Sequence, residues 1–466
     1  MKTAFLFASA ILWAAFGFGK TESQNVIIIF TDDQGYQDLG CYGSPNISTP
    51  RIDQMAKEGM LFTDFYVASS VCSPSRAALL TGKYPAKLGI NSVFWPNQPG
   101  GLDPEELTIA EMLKEVGYAT MAVGKWHLGD KKEYLPTNQG FDAYYGIPYS
   151  NDMSPALDMV YDPDCLYRDG FSLEKAKEIF AKADDRNPPE LKNKVPLMRD
   201  DVCIEIPVDQ RTITKRFTDE GMRFISESVE ADRPFFLYLA HSMPHTPLHV
   251  SKDFEGKSER SLYGDVIEEI DYNTGRLLDH LKALGVERDT LVIYSSDNGP
   301  WLNRGDHGGS ALPLSKGKKS HFEGGHRVPG VMRWPARIPA GRVCSEVATT
   351  IDLLPTLAVL NGISVDGADL DVDGKDISRL MFGVEGEKTP HRHFFYKRAA
   401  VRSGDWKYHQ VPPNPKRPEK AAPKPALYNL KNDISESRNV INEYPEIAER
   451  LQKALMEHVK ILENYD

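Results

Sequence analysis

Asn25-Val26-Ile27-Ile28-Ile29-Phe30 runs without a break into Thr31-Asp32-Asp33. The run is short, apolar at every position after the first and rich in β-branched residues. That is the pattern of a strand buried on both faces, as in a parallel sheet covered by helices. Pro234-Phe235-Phe236-Leu237-Tyr238-Leu239 and Thr290-Leu291-Val292-Ile293-Tyr294 have the same character, and Tyr118-Ala119-Thr120-Met121-Ala122-Val123 is a weaker fourth case. Helical patterns lie between them. Thr49-Pro50 offers an N-cap and a proline at the first helical position, with Gly59 as the stop. Thr108 and Glu111 have capping-box spacing, followed by Met112, Leu113 and Val116 on one face and Gly117. Residues 265–284 form a long amphipathic segment. This alternation predicts an α/β fold, a large and mostly parallel sheet with helices on both faces.

Outward from that core, the catalytic domain is expected over residues 25–362. Prolines and charges break the pattern at 151–210, which reads as an insertion near the rim of the site. After Asn361-Gly362 the character changes. His393-Phe394-Phe395-Tyr396, Ala400-Val401-Arg402 and Trp406-Lys407-Tyr408 read as short antiparallel strands, a Pro/Lys loop runs from Pro412 to Pro425, and a helix covers Ile447 to Leu462. A smaller α+β domain is therefore expected over 363–466. At the other end, Met1-Lys2-Thr3, an apolar run from Ala4 to Phe18 and Gly19-Lys20 have the form of a signal peptide over residues 1–19. The run is shorter than the about 20 residues of a spanning helix, and no later stretch is long and apolar enough to cross a membrane, so the mature protein is expected to be exported.

The 466 residues are 41% hydrophobic and 26% charged, the balance of a globular chain. Lys and Arg number 55 against 66 Asp and Glu, a formal charge of −11. That surplus argues against generic nucleic-acid binding, which needs a basic footprint, but does not restrict a small anionic substrate. The five cysteines, Cys41, Cys72, Cys165, Cys203 and Cys344, leave an odd one in an exported protein. Spacing does not choose pairs among them.

In open α/β sheets the chemistry collects at the carboxyl ends of the strands. The first strand ends in Asp32-Asp33 and another in Ser295-Ser296-Asp297-Asn298-Gly299. Three carboxylates and an amide can share one hard cation, Ca²⁺ or Mg²⁺; alternatively the first pair caps the next segment and the second is a turn. Cys72-Ser73-Pro74-Ser75-Arg76 enters a helical run, which sets Cys72 at a helix N-terminus with Arg76 one turn on. Such a place favours anions and lowers a thiol pKa, though a buried structural cysteine has the same pattern. Lys125 and His127, in Gly124-Lys125-Trp126-His127-Leu128-Gly129, point the same way if extended. His241 and His245 follow the Phe235 strand as candidate acids or bases. Lys316 to Lys319 precede Phe322-Glu323-Gly324-Gly325, whose glycines suggest close backbone packing near a ligand.

Taken in order, these motifs resemble those of the type I sulfatases of the alkaline-phosphatase superfamily, especially the arylsulfatase A and N-acetylgalactosamine-6-sulfatase branch. Cys72-Ser73-Pro74-Ser75-Arg76 with Leu80-Thr81-Gly82 matches the C-x-P-x-R signature and its extension, after Phe62-Thr63-Asp64-Phe65-Tyr66 as in the family. The matches run over roughly residues 25–360. The resemblance implies that a formylglycine-generating or sulfatase-maturating enzyme oxidises Cys72 to Cα-formylglycine, which accounts for the odd cysteine. It implies a cation, usually Ca²⁺, on Asp32, Asp33, Asp297 and Asn298. Arg76 would orient the hydrated aldehyde, and Lys125, His245 and Lys318 would contact the sulfate, His245 or Lys318 helping the alcohol leave. His127 would hold the formylglycine hydroxyl and later act as base. His241 remains the rival of His245, and Lys319 of Lys318.

The implied chemistry is sulfate ester hydrolysis through a formylglycine hydrate. One hydroxyl attacks sulfur to give a covalent sulfated intermediate, and deprotonation of the second expels sulfate. A phosphoric or phosphonic ester hydrolase of the same superfamily is the nearest alternative, against which Asn298 argues, since such relatives tend to carry His there. An inactive sulfated-sugar-binding protein would follow from unmodified Cys72. A sulfated carbohydrate is the expected substrate class. The expected location is periplasmic or extracellular in a bacterium, the preferred source, and lysosomal or secreted in a eukaryote; the single sequon Asn46-Ile47-Ser48 does not decide between them.

Overall fold

The computed structural model describes residues 24–364, 371–410 and 424–465. The signal-peptide reading (1–19) and most of the Pro/Lys loop lie outside the described residues. The first strand, β1 (Asn25–Thr31), has every residue buried. The strands that follow in the same sheet are β2 (Met60–Tyr66), β3 (Ala119–Lys125), β4 (Ala143–Ile147), β5 (Val160–Tyr167), β6 (Leu197–Arg199), β7 (Val202–Ile206), β8 (Phe235–Ala240), β9 (Thr290–Ser296), β10 (Arg327–Arg333), β11 (Arg342–Cys344) and β12 (Ala348–Thr349). Among the described residues these make a twelve-stranded sheet in the order β11-β2-β10-β9-β1-β8-β3-β4-β6-β7-β5, with β12 beside β2. Its centre, β9-β1-β8-β3-β4, is wholly parallel, so all these strands present their carboxyl ends at one edge.

The period of a strand divides β1 between two cores. Val26, Ile28 and Phe30 join one, with Leu79 and Leu80 of the helix Cys72–Thr81, Leu113 of Ile109–Glu115 and Leu353 of Leu353–Leu360. Ile27 and Ile29 join the other, with Ile52 of Pro50–Lys57, Phe217 of Ile213–Glu230 and Ile267 of Ser261–Ala283. Each such buried aliphatic side chain contributes about 1.5–3 kcal/mol relative to exposure. The expected layering of helices on both faces is thus found, and among the described residues no helix is long and apolar enough to cross a membrane.

The capping box of Thr108 and Glu111 is present in both directions. The cap expected of Thr49 is not made. Its hydroxyl donates to Asp53, and Asp271, on the long helix, accepts from the amides of Arg51 and Ile52 at 3.1 and 2.7 Å. A carboxylate distant in sequence thus satisfies the helix start. Residues 151–210 contribute β5, β6 and β7 to one edge of the sheet.

The chain's last part forms a second sheet, β13 (Phe394–Tyr396), β14 (Ala400–Ser403), β15 (Trp406–His409) and β16 (Ala426–Asn429), antiparallel throughout. Val401, Tyr408 and Leu427 pack on Leu451 and Leu455 of the helix Pro445–Leu462. Before it, Ile377, Leu380 and Met381 pack into the first core of the large sheet. A buried ionic network joins the two sheets. Lys407 lies 3.0 Å from Glu323 and 2.8 Å from Glu436, and Arg402 lies 2.6 Å from Asp64.

Candidate active site

Adjacent parallel strands deliver the site. Asp32 and Asp33 follow β1, Asp297 and Asn298 follow β9, Lys125 ends β3, and His241 to His245 follow β8. Cys72 opens its helix from the first position, as expected, with Arg76 one turn along. A cavity of ≈ 350 Å³ lies over them, lined among others by Cys72, His127, His245, Trp301, Lys318 and Lys319. Lys125 is fully buried beside that lining, its ammonium 2.5 Å from Asp32 and 3.3 Å from the hydroxyl of Ser150, which lines the cavity.

Cys72 donates to Asp32 at 3.6 Å and accepts from Lys318 at 3.3 Å. Lys318 also pairs with Asp33 at 2.5 Å. Arg76 spends its donors on Asp297 Oδ2, through Nε at 3.0 Å and Nη2 at 2.8 Å, and on the carbonyl of Lys125 at 2.9 Å. It braces Asp297 and the end of β3 directly and stands behind Cys72 rather than across the pocket from it.

Burial works to raise Asp32, but the charges of Lys125, Arg76 and Lys318 hold it well below the ordinary carboxylate range. Burial outweighs Lys318 at Asp33, which is raised, and with the charge of Asp32 lifts Asp297 to about 7. The Cys72 thiol reverses the expectation from its helix terminus. Burial pushes it up to about 12, and Lys125 and Lys318 do not offset the lost hydration.

Two buried oxygens here, Asp33 Oδ2 and Asn298 Oδ1, have no hydrogen-bond partner among the described residues. The amide nitrogen of Asn298 donates to Asp33 Oδ1 at 2.7 Å and to the carbonyl of Gly299, which leaves its oxygen free to face a ligand. Asp32, Asp33, Cys72 and His245 bring a ligand atom each within 4.8 Å of one another. Orphaned hard oxygens among clustered carboxylates suit a divalent cation.

The histidines separate on their partners. His127 Nε2 lies 3.1 Å from the carbonyl of Phe94, an acceptor only, so Nε2 carries the hydrogen and the unpartnered Nδ1 carries the lone pair. Burial, with Lys125 and Arg76 nearby, keeps the ring neutral. His127 has φ 62°; β3 has ended at Lys125, so a turn rather than extended chain brings the two residues to one site. His245 Nδ1 meets Asn151 Oδ1 at 3.0 Å, while Nε2 faces Asp33 Oδ2 at 3.7 Å. The Asn151 amide nitrogen donates to Gln210 and to the carbonyl of Pro247, which fixes its oxygen toward His245. Burial and Lys318 hold His245 neutral. His241 is also buried, with both ring nitrogens unpartnered, but does not line the cavity.

Lys318 and Lys319 both reach the cavity, each ammonium 4.9 Å from the centre of the Trp301 ring; Lys318 alone of the two is paired with the carboxylate cluster. The glycines after them pack against protein rather than a ligand. A Cβ on Gly324 would lie 2.3 Å from the carbonyl oxygen of Lys316, and one on Gly299 would lie 1.7 Å from that of Gly324. They clamp the lysine loop to the end of β9. Ser150, Asn151, the Phe94 carbonyl and Trp301 escape the sequence reading. Ser150 and Asn151 follow β4, whose Ala143-Tyr144-Tyr145-Gly146-Ile147 lacks an unbroken apolar run; recognising that strand would have pointed to its end. At the mouth, Arg186 lies 4.0 Å from the centre of the Trp95 ring.

A model of the Sulfatase family matches residues 24–363. Human arylsulfatase A is 36% identical over 460 residues, covering 93% of this chain and 86% of that protein. The N-acetylgalactosamine-6-sulfatase of Canis lupus familiaris is 36% identical over 409 residues, 84% of this chain and 72% of its own. Among solved structures, Ps i-CgsB in complex with k-i-k-neocarrahexaose superposes with a TM-score of 0.78 at 30% identity, covering 94% of this chain and 92% of that one. The chain belongs to the sulfatase family and is a sulfatase, with the family's alkaline-phosphatase-like fold built around the pocket of Cys72.

Proposed function

We propose that this sulfatase removes sulfate from a sulfated carbohydrate, using Cys72 oxidised to formylglycine and a divalent cation held by Asp32, Asp33, Asp297 and Asn298. The observation that carries the reading is the convergence on Cys72 of three buried cations, two neutral histidines and a carboxylate cluster with two orphaned oxygens. Its sugar preference draws on the relatives, one named for N-acetylgalactosamine 6-sulfate and one solved with a carrageenan-type hexaose. Export would place the enzyme where sulfated polysaccharides occur.

When present, the hydrated aldehyde supplies one hydroxyl to attack sulfur and a second whose deprotonation releases sulfate, while Ca²⁺ or Mg²⁺ acidifies the first and neutralises sulfate oxygens. The protein's residues do the rest. Lys125 and Lys318 place fixed positive charge beside Cys72, where charge develops on the sulfuryl oxygens. Arg76 holds Asp297 in place. His127, with its lone pair on Nδ1, takes the proton of the second hydroxyl. Lys318, an ammonium, carries a proton for the departing alcohol; His245, its Nδ1–H tied to Asn151 Oδ1, has its lone pair on Nε2 and serves that role only after Nε2 has taken up a proton.

Two measurements test this. The tryptic peptide containing Cys72, from protein made in its native host, is expected about 18 Da lighter than the cysteine form, and the protein is expected to release inorganic sulfate from sulfated saccharides. Unmodified cysteine throughout, with no sulfate release, refutes the formylglycine mechanism; faster turnover of phosphate than of sulfate esters refutes the substrate class.

A further inference from the structure

The pocket of Cys72 has a neighbour. A second cavity, of ≈ 280 Å³, lies where the large sheet meets the carboxyl-terminal sheet, lined among others by Tyr84, Asn91, His321, Lys397, Arg398 and His458. Three stretches of chain connect the two. Ala68 lines the second cavity and Val71 and Cys72 the first; Lys318 and Lys319 line the first and His321 the second; Asn91 lines both.

The second cavity is basic, and among the described residues that line it there is no carboxylate. Lys397 sits in the turn between β13 and β14 with φ 54°. Its ammonium makes no hydrogen bond or ion pair among the described residues, and burial alone lowers its pKa. His458 is 8% exposed and stacked on Phe395 at 3.8 Å, and its Nε2 has no partner. His321 Nδ1 is likewise buried and unpartnered. Arg398 is tied to the carbonyl of Leu462 at 3.2 Å. Cations surround the two rings, Lys397 and Lys407 near His321, Lys87 and Arg398 near His458. Lys87 is paired with Asp373, and Lys407 with Glu323 and Glu436, but half-burying Lys397 with no ion-pair partner among the described residues is unfavourable. An anion entering the cavity would remove that cost and meet the Lys397 ammonium, with the unpartnered ring nitrogens of His321 and His458 as donors in the tautomers that place a hydrogen there.

We propose that this cavity binds a second anionic substituent, a sulfate or a carboxylate, of the same glycan whose sulfate ester enters the Cys72 pocket. The proposal rests on the sulfatase reading above. Tyr84 and His458, the latter backed by Phe395, provide ring surfaces for the sugar between the two charged groups.

The test uses the full-length, matured enzyme and its Lys397→Gln and Lys397→Arg variants. Four substrates are compared, 4-methylumbelliferyl sulfate, a monosulfated neutral disaccharide, its disulfated form and a monosulfated disaccharide containing a uronate. Lys397→Gln is expected to raise KM for a doubly anionic substrate by roughly tenfold or more, the loss of one charge-assisted contact. It is expected to leave kcat, the two singly charged substrates and Tm unchanged. Lys397→Arg is expected to retain most of the affinity. A KM effect confined to the disulfated sugar assigns the cavity to sulfate, and one confined to the uronate assigns it to carboxylate. Equal effects on all four substrates, or none on either doubly anionic one, overturn the proposal. Calorimetric titration of the disulfated disaccharide into Cys72→Ser protein, with and without Lys397→Gln, reads the second site without turnover. If matured enzyme fails to hydrolyse 4-methylumbelliferyl sulfate, the sulfatase reading fails; if that ester is hydrolysed and Lys397→Gln changes neither KM nor binding, only the second site fails.

Discussion

Replacing Lys407 by methionine removes the cation that, among the described residues, bridges two buried carboxylates. Lys407, Glu323 and Glu436 have fully buried side chains, with the ammonium 3.0 Å from Glu323 and 2.8 Å from Glu436. Glu323 also accepts from Tyr396 at 2.5 Å, and Glu436 accepts from the amide of Glu323 at 2.6 Å. Methionine keeps the length and apolar stem but leaves Glu436 with no ion-pair partner among the described residues, buried beside Glu323, which keeps Arg327 at 3.6 Å and Arg402 at 4.0 Å. Breaking one partner from a buried ionic group costs about 3–5 kcal/mol. Unfolding entropy near 2 cal/mol/K per residue makes that about 3–5 °C in Tm for a chain of this length. The loss is expected to depend on pH. Burial, reinforced by the charge of Glu323 and opposed by Lys407, raises Glu436 from 4.5 to about 7. A carboxylate raised on folding gives stability that is complete below its unfolded pKa and lost as pH rises through its folded one. Without Lys407 the folded value rises further, so the variant is expected to be weakest above neutrality and partly recovered near pH 5.5, about one unit above the unfolded glutamate value. Glu436→Gln in the same chain is expected to recover part of the loss. Differential scanning fluorimetry across pH, on all variants, reads this. A Tm within about 1 °C of the parent above neutrality, or a loss independent of pH, refutes the reasoning.

His127→Asn removes the lone pair at Nδ1, so kcat is expected to fall by about 10²- to 10⁴-fold with little change in KM; a KM-only effect in steady-state assays would remove His127 from proton transfer. Dialysis against a chelator is expected to abolish activity and lower Tm by about 4 °C relative to Ca²⁺ in thousandfold excess over its Kd, with both restored on adding Ca²⁺ back; full activity after chelation, with no metal found by elemental analysis, would refute the cation site. Cys165 and Cys203 have sulfurs 3.9 Å apart on the paired strands β5 and β7, so oxidation is expected to join them. Closing a loop of that sequence separation, 38 residues, is worth about 4 kcal/mol in the chain-entropy account, and non-reducing peptide mapping checks the pairing.

What was legible in the sequence was local. β1, β8 and β9 announce themselves because strands buried on both faces have no polar alternation to hide them, and the acids that follow β1 and β9 mark the edge where chemistry collects. β10 is as buried as β1 but carries Pro329 and Gly330, and its register against β2 shifts between Val328 and Gly330; an irregular pairing erases the pattern that would reveal it. β4 is hidden by Gly146, and with it Ser150 and Asn151. The Asp271 cap, the Glu323–Lys407–Glu436 network and the cavity at Lys397 depend on residues that meet only when two sheets or two distant helices dock. The thiol of Cys72 follows the same division. Its place at a helix start was readable, but its pKa is set by burial, a property of the whole packed edge. The strand-end residues alone point to a hard cation or to caps and turns; the reaction class comes from the resemblance carried by Cys72-Ser73-Pro74-Ser75-Arg76, a local signature at a helix start. The substrate cannot be read in that way, because the cavity proposed for a second anionic group lies at the junction of the two sheets, and residues 151–210, expected at the rim of the site, form an edge of the large sheet. Neither feature exists until the chain has folded.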